Sequence, residues 1–148
     1  MDEIDFQIIS LLRANGRASF ASIGGEVGLS PHGAADRIRR LEREGVITGY
    51  TVNVDPGRVG RSLEAFIDVR LLPNTDPEGF ERHVSRLPAV RELVFLTGRF
   101  DYQVRVACRD ADDLDRTVRA IRRDAGAAQT ETRIAMRSAS FQRDERGS

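Results

Sequence analysis

Lysine is missing from this chain: arginine supplies all 23 basic residues, and 23 acidic residues cancel them. A global positive field is therefore excluded, so any attraction to phosphate has to come from local clustering. Tryptophan is absent and cysteine occurs once, at Cys108, which rules out an intrachain disulfide and leaves no thiol pair for a zinc site. A reducing cytoplasm is the expected location. No apolar run approaches the ~20 residues that span a bilayer, and no basic-then-apolar leader opens the chain, so neither a membrane partner nor export is expected. Only two histidines, His32 and His83, are available for proton transfer near neutral pH. Neither has sequence neighbours that suggest a catalytic triad, and no metal or cofactor is expected.

Punctuation is plentiful in the first third of the chain. Ile4, Ile8, Leu11 and Leu12 recur at helical spacing behind Asp2, Glu3 and Asp5, which place negative charge at a helix N-terminus; the pattern predicts a helix from Asp2 to Ala14, stopped by Asn15-Gly16. Ser19 is an N-cap for a short second helix through Phe20, Ile23 and Val27, ending at Gly28. Gly24 and Gly25 each cost that helix about 1 kcal/mol relative to alanine, and a close helix crossing at Gly24 is the expected compensation.

Ser30-Pro31 then starts a third helix, because a serine hydroxyl caps free amides and proline suits the first helical position. Ala34, Ile38 and Leu41 form its buried stripe, turning His32, Gly33, Asp36, Arg40 and Arg43 outward with Arg37 and Arg39 on the flanks. Gly45 ends the helix, and the alternation from Val46 to Val54 predicts a ribbon beside it.

A helix, a Gly-Leu-Ser turn and an arginine-bearing helix are the pattern of a DNA-reading helix-turn-helix. Side chains near the N-terminus of the second of these helices reach base edges, which nominates Ser30, His32, Asp36 and Arg37. Arg40 and Arg43, further along, are expected to hold the phosphate backbone. The bland alternative is that Arg39, Arg40 and Arg43 merely solvate a helix and pair with Asp36, Glu42 and Glu44.

Asp55-Pro56-Gly57 and Gly60-Arg61 form a connector, after which the periodicity changes. Ala65, Ile67, Val69 and Leu71 alternate as a strand; Phe80, Val84 and Leu87 mark a helix behind Asp76-Pro77; Val90–Thr97 and Phe100–Cys108 are strands meeting at Gly98-Arg99. Leu114, Val118 and Ile121 mark another helix, and the last strand is expected from Thr130 to Ser138. The order βαββαβ is ferredoxin-like, making the chain α+β: a winged helix-turn-helix domain at 1–54, a linker at 55–62, a ferredoxin-like domain at 63–140, and a flexible tail at 141–148. Glu64, Asp68, Arg70, Arg105, Arg133 and Arg137 fall with Phe66 and Gln103 on the sheet face away from the helices, a mixture that suits a covered face and hence a sheet-to-sheet dimer.

The motifs D-x-x-D-x-x-I-I-x-x-L from Asp2, G-R-x-S at Gly16, G-L-S-P at Gly28, R-I-R-R-L-E at Arg37, G-V-I at Gly45 and T-G-R-F-D-Y at Thr97, in this order and attached to a βαββαβ domain, resemble the Lrp/AsnC family, the leucine-responsive and asparagine-synthetase regulators. The resemblance implies a sequence-specific transcriptional regulator of double-stranded DNA, dimers that assemble further into tetramers or octamers, and an amino acid or related metabolite bound between subunits. Ala125-Gly126-Ala127-Ala128-Gln129 departs from the Pro-Gly-Val-like approach usual in that family, and Gly24 and Gly25 stand where it has better helix formers.

For the effector, Thr97, Gly98, Arg99, Asp101 and Tyr102 are the expected residues: amides at a glycine turn for a carboxylate, and Asp101 for the ammonium. Gly98 is equally explained by a turn that needs positive φ, and Tyr102 by core packing. Two other readings stand beside the regulator. A tetrapyrrole decarboxylase-like enzyme on the same fold would want proton-transfer groups in the second domain, where His83 is the lone histidine. A ligand-binding module without DNA binding is the other.

Overall fold

The structure, a computed structural model, describes residues 1–141; the tail expected at 141–148 lies outside the described residues except for Phe141. It divides into two compact units, Met1–Asn53 together with the described residues from Ala139, and Val54–Ser138.

The first unit is three helices, α1 (Glu3–Ala14), α2 (Phe20–Val27) and α3 (Pro31–Arg43). Asp2, Ser19 and Ser30 are their N-caps, each accepting a backbone N–H three residues on. At Gly28 the chain leaves α2 in the left-handed conformation, φ 76°, which glycine adopts without a Cβ penalty. Ile8, Ile23, Ala34, Ile38 and Leu41 form the core, with Ile4, Leu11, Leu12, Val27 and Ile47 packed at its edge. Gly24 is buried, but its close neighbour is the backbone of the turn and not a crossing helix: a Cβ there would stand 2.5 Å from the Leu29 carbonyl oxygen and 3.1 Å from that of Ser30.

The ribbon expected from Val46 to Val54 does not form. No strand is assigned in that stretch, and Val46, Tyr50, Val52 and Val54 are exposed. A strand exists only as part of a ladder, and the described residues of the first unit offer no second strand to pair with it.

The second unit opens with a 3-10 turn (Pro56–Val59) capped by Asp55. Arg61 then anchors the connector, donating to the Ala107 carbonyl at 3.0 Å and to Asp113 at 3.4 Å. Four strands and two helices follow: β1 (Leu63–Leu71), α4 (Pro77–Ser85), β2 (Val90–Phe95), β3 (Tyr102–Cys108), α5 (Ala111–Asp124) and β4 (Ala127–Ile134). All neighbouring strands are antiparallel in the order β2-β3-β1-β4, the ferredoxin-like arrangement. Ala65, Ile67 and Val69 of β1 with Tyr102, Val104 and Val106 of β3 are buried against Phe80, Val84, Leu114 and Ile121 of the helices. Cys108 is buried there too, and burial raises its thiol pKa.

Strand β4 lies three to four residues earlier than the expected span from Thr130 to Ser138. Its pairing with β1 begins at Ala127 opposite Leu71, across an irregularity at Arg70/Leu71, and closes at Ile134 opposite Ala65. Because β1 starts only at Leu63, the backbone beyond Ala135 has nothing left to pair with. Arg137 consequently falls outside the sheet rather than on its open face. The rest of that face is as expected by alternation, and several of its polar side chains pair across strands: Arg133 with Asp68 at 2.9 Å, Gln103 with Asp68 at 3.4 Å and Arg105 with Glu64 at 3.6 Å.

Candidate nucleic-acid interface and effector turn

Helix α3 is built with one face for the core and one for solvent. Buried Ala34, Ala35, Ile38 and Leu41 hold it down, while His32, Asp36, Arg39 and Arg43 are exposed on the opposite side. Ser30 sits at the helix entry, its Oγ accepting the Gly33 N–H at 3.0 Å. His32 is 84% exposed at its side chain, with Nε2 3.4 Å from the Asp36 carboxylate one turn on. Arg43 has no partner among the described residues.

Arg37 and Arg40 are placed differently. Both turn along the flank facing α1, where Arg37 Nη1 donates to both Asp2 oxygens at 2.8 and 2.6 Å and to Asp5 at 3.2 Å, and Arg40 Nη2 donates to Asp5 at 2.6 Å. Only 26% of the Arg37 side chain and 41% of that of Arg40 remain exposed. Their first partner is therefore α1, and a base or phosphate contact would compete with it.

The carboxylate that organises this flank is Asp5, whose side chain is 1% exposed. It accepts the Asp2 N–H at 3.1 Å in a capping box and takes one arginine on each oxygen. Sequence patterning read Asp5 as first-turn charge for the helix dipole and as part of the family motif, not as a buried ion-pair partner. The available signal was the capping-box spacing of Asp2 and Asp5 together with the arginine pair three apart on α3. Hydrogen bonding from the Arg37 guanidinium holds the Asp2 carboxyl down at about 2, and the same contact raises Arg37.

In the second unit, Thr97, Gly98 and Arg99 come together on the exposed turn joining β2 to β3, with Gly98 at φ 107°. The turn is pinned at its base: Leu96 N–H donates to the Asp101 carbonyl and Asp101 N–H to the Val69 carbonyl, both at 2.8 Å. Asp101 Oδ2 accepts the Leu71 N–H at 2.8 Å. One carboxylate oxygen is thus committed to structure, and Oδ1 has no hydrogen-bond partner among the described residues.

Tyr102 is not at the surface of that turn. It is buried between Phe80 and Phe95, ring centroids 4.7 and 5.0 Å away, and its hydroxyl donates to Glu81 at 3.0 Å. Desolvation, and then the Glu81 carboxylate, push its pKa up to about 12. The core explanation for Tyr102 holds in the single chain, and a ligand contact would fall to its neighbours.

No group of three or more His, Cys, Asp or Glu arranged for a metal ion occurs among the described residues, and none of their helices is long and apolar enough to cross a membrane.

Comparison with known proteins matches both units. Residues 1–42 fit the AsnC-type helix-turn-helix domain and residues 64–144 the Lrp/AsnC ligand binding domain. The chain is 34% identical over 137 residues to the HTH-type transcriptional regulator AldR of Mycolicibacterium smegmatis, covering 90% of this chain and 80% of that protein. It is 35% identical over 113 residues to the leucine-responsive regulatory protein of Escherichia coli K12, covering 74% and 68%. A Neisseria meningitidis transcriptional regulator solved as its complex with L-methionine superposes with a TM-score of 0.90 at 25% identity, covering 97% of this chain and 95% of that one.

Proposed function

Since the chain belongs to the Lrp/AsnC family of helix-turn-helix transcriptional regulators, we propose that α3 is its DNA-reading helix and that an amino acid binding at the Thr97–Asp101 turn modulates its DNA affinity or assembly. The observation that carries this reading is the exposed face of α3, with Ser30, His32 and Asp36 at its N-terminal end and Arg43 at the other. N-terminal side chains of such a helix meet base edges, while cations further along meet phosphate. Arg37 and Arg40, tied to Asp2 and Asp5, fasten α3 against α1. A dimer joined through the open sheet face and the Val46–Val54 segment would present two such helices to paired half-sites.

The effector reading is supported by chemistry and by kinship. A glycine turn with exposed amides suits a carboxylate, and the unpaired Oδ1 of Asp101 suits an ammonium. The Neisseria relative carries methionine, an amino acid of the same general class. Nothing in the second unit groups proton-transfer residues around His83, so the decarboxylase alternative draws no support from the site.

Fluorescence anisotropy on native promoter fragments, with and without a panel of amino acids, tests the whole reading. Arg43→Ala should weaken binding to every duplex alike, and His32→Ala should also shift sequence preference. Asp101→Asn should lower effector affinity about ten- to a hundredfold, the value of one charge-assisted hydrogen bond, with DNA binding retained. Wild-type affinity for promoter DNA in the Arg43/His32 double variant would remove α3 as the reading element.

A further inference from the structure

Of the four arginines on α3, Arg37 and Arg40 are engaged by carboxylates at the start of α1, and Arg43 at the helix end has no partner among the described residues. Arg39 is held by something else. Its guanidinium carbon lies 5.7 Å from the centroid of the Phe20 ring, across from α3 to the first residue of α2. Its nearest carboxylate among the described residues, Asp36, is 3.9 Å away and is also within 3.4 Å of His32, so that ion pair is loose and shared. The Arg39 side chain is 57% exposed.

Phe20 is the odd residue in this arrangement. It is a large apolar side chain left 42% exposed, and it belongs to no part of the core beneath α2. Burial therefore does not account for it. A guanidinium held over the face of a ring is steered by it without losing its N–H donors, which stay available to an oxyanion beside it. A carboxylate partner would instead consume those donors and cancel the charge. In a helix-turn-helix the first helix crosses the DNA backbone while the second enters the groove, so the N-terminus of α2 and the flank of α3 beside it border a phosphate.

We propose that Arg39, held over the Phe20 ring, is a phosphate clamp of this DNA reader, with Phe20 as the residue that positions it. The inference rests on α3 being the DNA-reading helix and extends it to Arg39, which the pattern of outward-facing positions left on the flank, and to Phe20, read from the sequence as an apolar position of the second helix. Arg39 lies in the third turn of α3, away from the base-reading end, so the clamp fixes register and carries no sequence information.

A phosphate contact is read from salt dependence, and because it ignores sequence, a short random-sequence duplex is a sufficient probe. Anisotropy titrations over a range of salt should show for Arg39→Gln a slope of log affinity against log salt shallower by about 0.9, one phosphate fewer. Affinity at low salt should fall about tenfold. Arg122→Gln on α5, a charge change of the same kind in the other unit, should leave the slope alone. Phe20→Leu keeps apolar bulk and removes the ring; it should weaken binding by less than Arg39→Gln and add nothing in the double variant, since it acts through Arg39. Should Arg39→Gln melt early, Arg39→Lys carries the test, keeping the slope while losing affinity.

Wild-type binding with an unchanged slope in Arg39→Gln overturns the clamp and leaves the reading helix standing. Additive losses in the double variant overturn the positioning role of Phe20. A wild-type protein with no salt-dependent affinity for any duplex overturns the DNA-reading assignment itself, and the clamp with it.

Discussion

Gly24 and Gly25 are neighbours in α2, equally poor helix formers, and their surroundings set them opposite tasks. A Cβ on Gly24 would press into the Leu29 carbonyl at 2.5 Å, backbone that cannot swing aside, whereas a Cβ on Gly25 meets nothing within 4 Å. Gly25→Ala should therefore stabilise the protein by about 0.5 to 1 kcal/mol, the helix propensity difference, and Gly24→Ala should destabilise it by about 1 to 3 kcal/mol through overpacking. Denaturant melts of the two variants check this, and equal effects of the same sign would remove the close approach as the reason for Gly24. The sequence showed that a cost existed at both positions but could not divide it, because the compensating neighbour is a turn whose path is settled only by three-dimensional packing. Asp5 shows the same limit. Its place in the first turn is legible from spacing, but its burial beneath two arginines more than thirty positions away is not.

At the scale of elements, helix starts were the most legible feature: Ser19, Ser30 and Asp76 each cap the helix that their position announces, and Asp2, read as first-turn charge, caps α1. Caps are local chemistry, decided within four residues. Strands depend on partners, so the Val46–Val54 alternation describes a segment suited to pairing without supplying its mate, and the end of β4 is set by where β1 begins. Tyr102 on β3 is where element and site meet: the alternation that places it inward packs it in the core of the single chain. Its buried hydroxyl favours the neutral form, so its folded pKa lies near 12 against 10.0 for a free phenol. A group whose folded pKa is raised stabilises below the unfolded value, so this contribution is complete below pH 10 and is lost as pH climbs from 10 through about 12. In a Tyr50→Phe variant, which leaves Tyr102 as the remaining phenol, tyrosinate absorbance should rise in one step near pH 12. A step near 10 would mean that the hydroxyl is solvated and the Phe80–Tyr102–Phe95 stack is open.

For the whole molecule, the question is what covers the apolar surface that a single chain leaves out. Tyr50, Val52 and Val54 are exposed in a segment with strand alternation, and Phe66 stands half-buried at the centre of the open sheet face, with Arg105 and Arg133 directly across from it on either side. The neighbouring charges on that face already have partners within it, which lowers the cost of removing them from water together. A second copy is the occupant that both features suit: like segments pair as a ribbon, and a face with paired charges around an apolar centre packs on itself about a two-fold axis. Light scattering at tens of micromolar should therefore give at least twice the chain mass. Phe66→Arg adds a third like charge between two arginines and, through the two-fold, repeats it on the partner, so self-association should weaken by at least about tenfold, the scale of one lost central anchor. Because Phe66 points away from the core formed by Ala65, Ile67 and Val69, circular dichroism should show the fold retained. Val52→Asp, in the other unit, should weaken association independently if the ribbon forms between copies. A wild-type chain that scatters as a monomer and still binds an operator as one unit would defeat the dimer, and a Phe66→Arg variant as tightly associated as wild type would move the contact off the sheet.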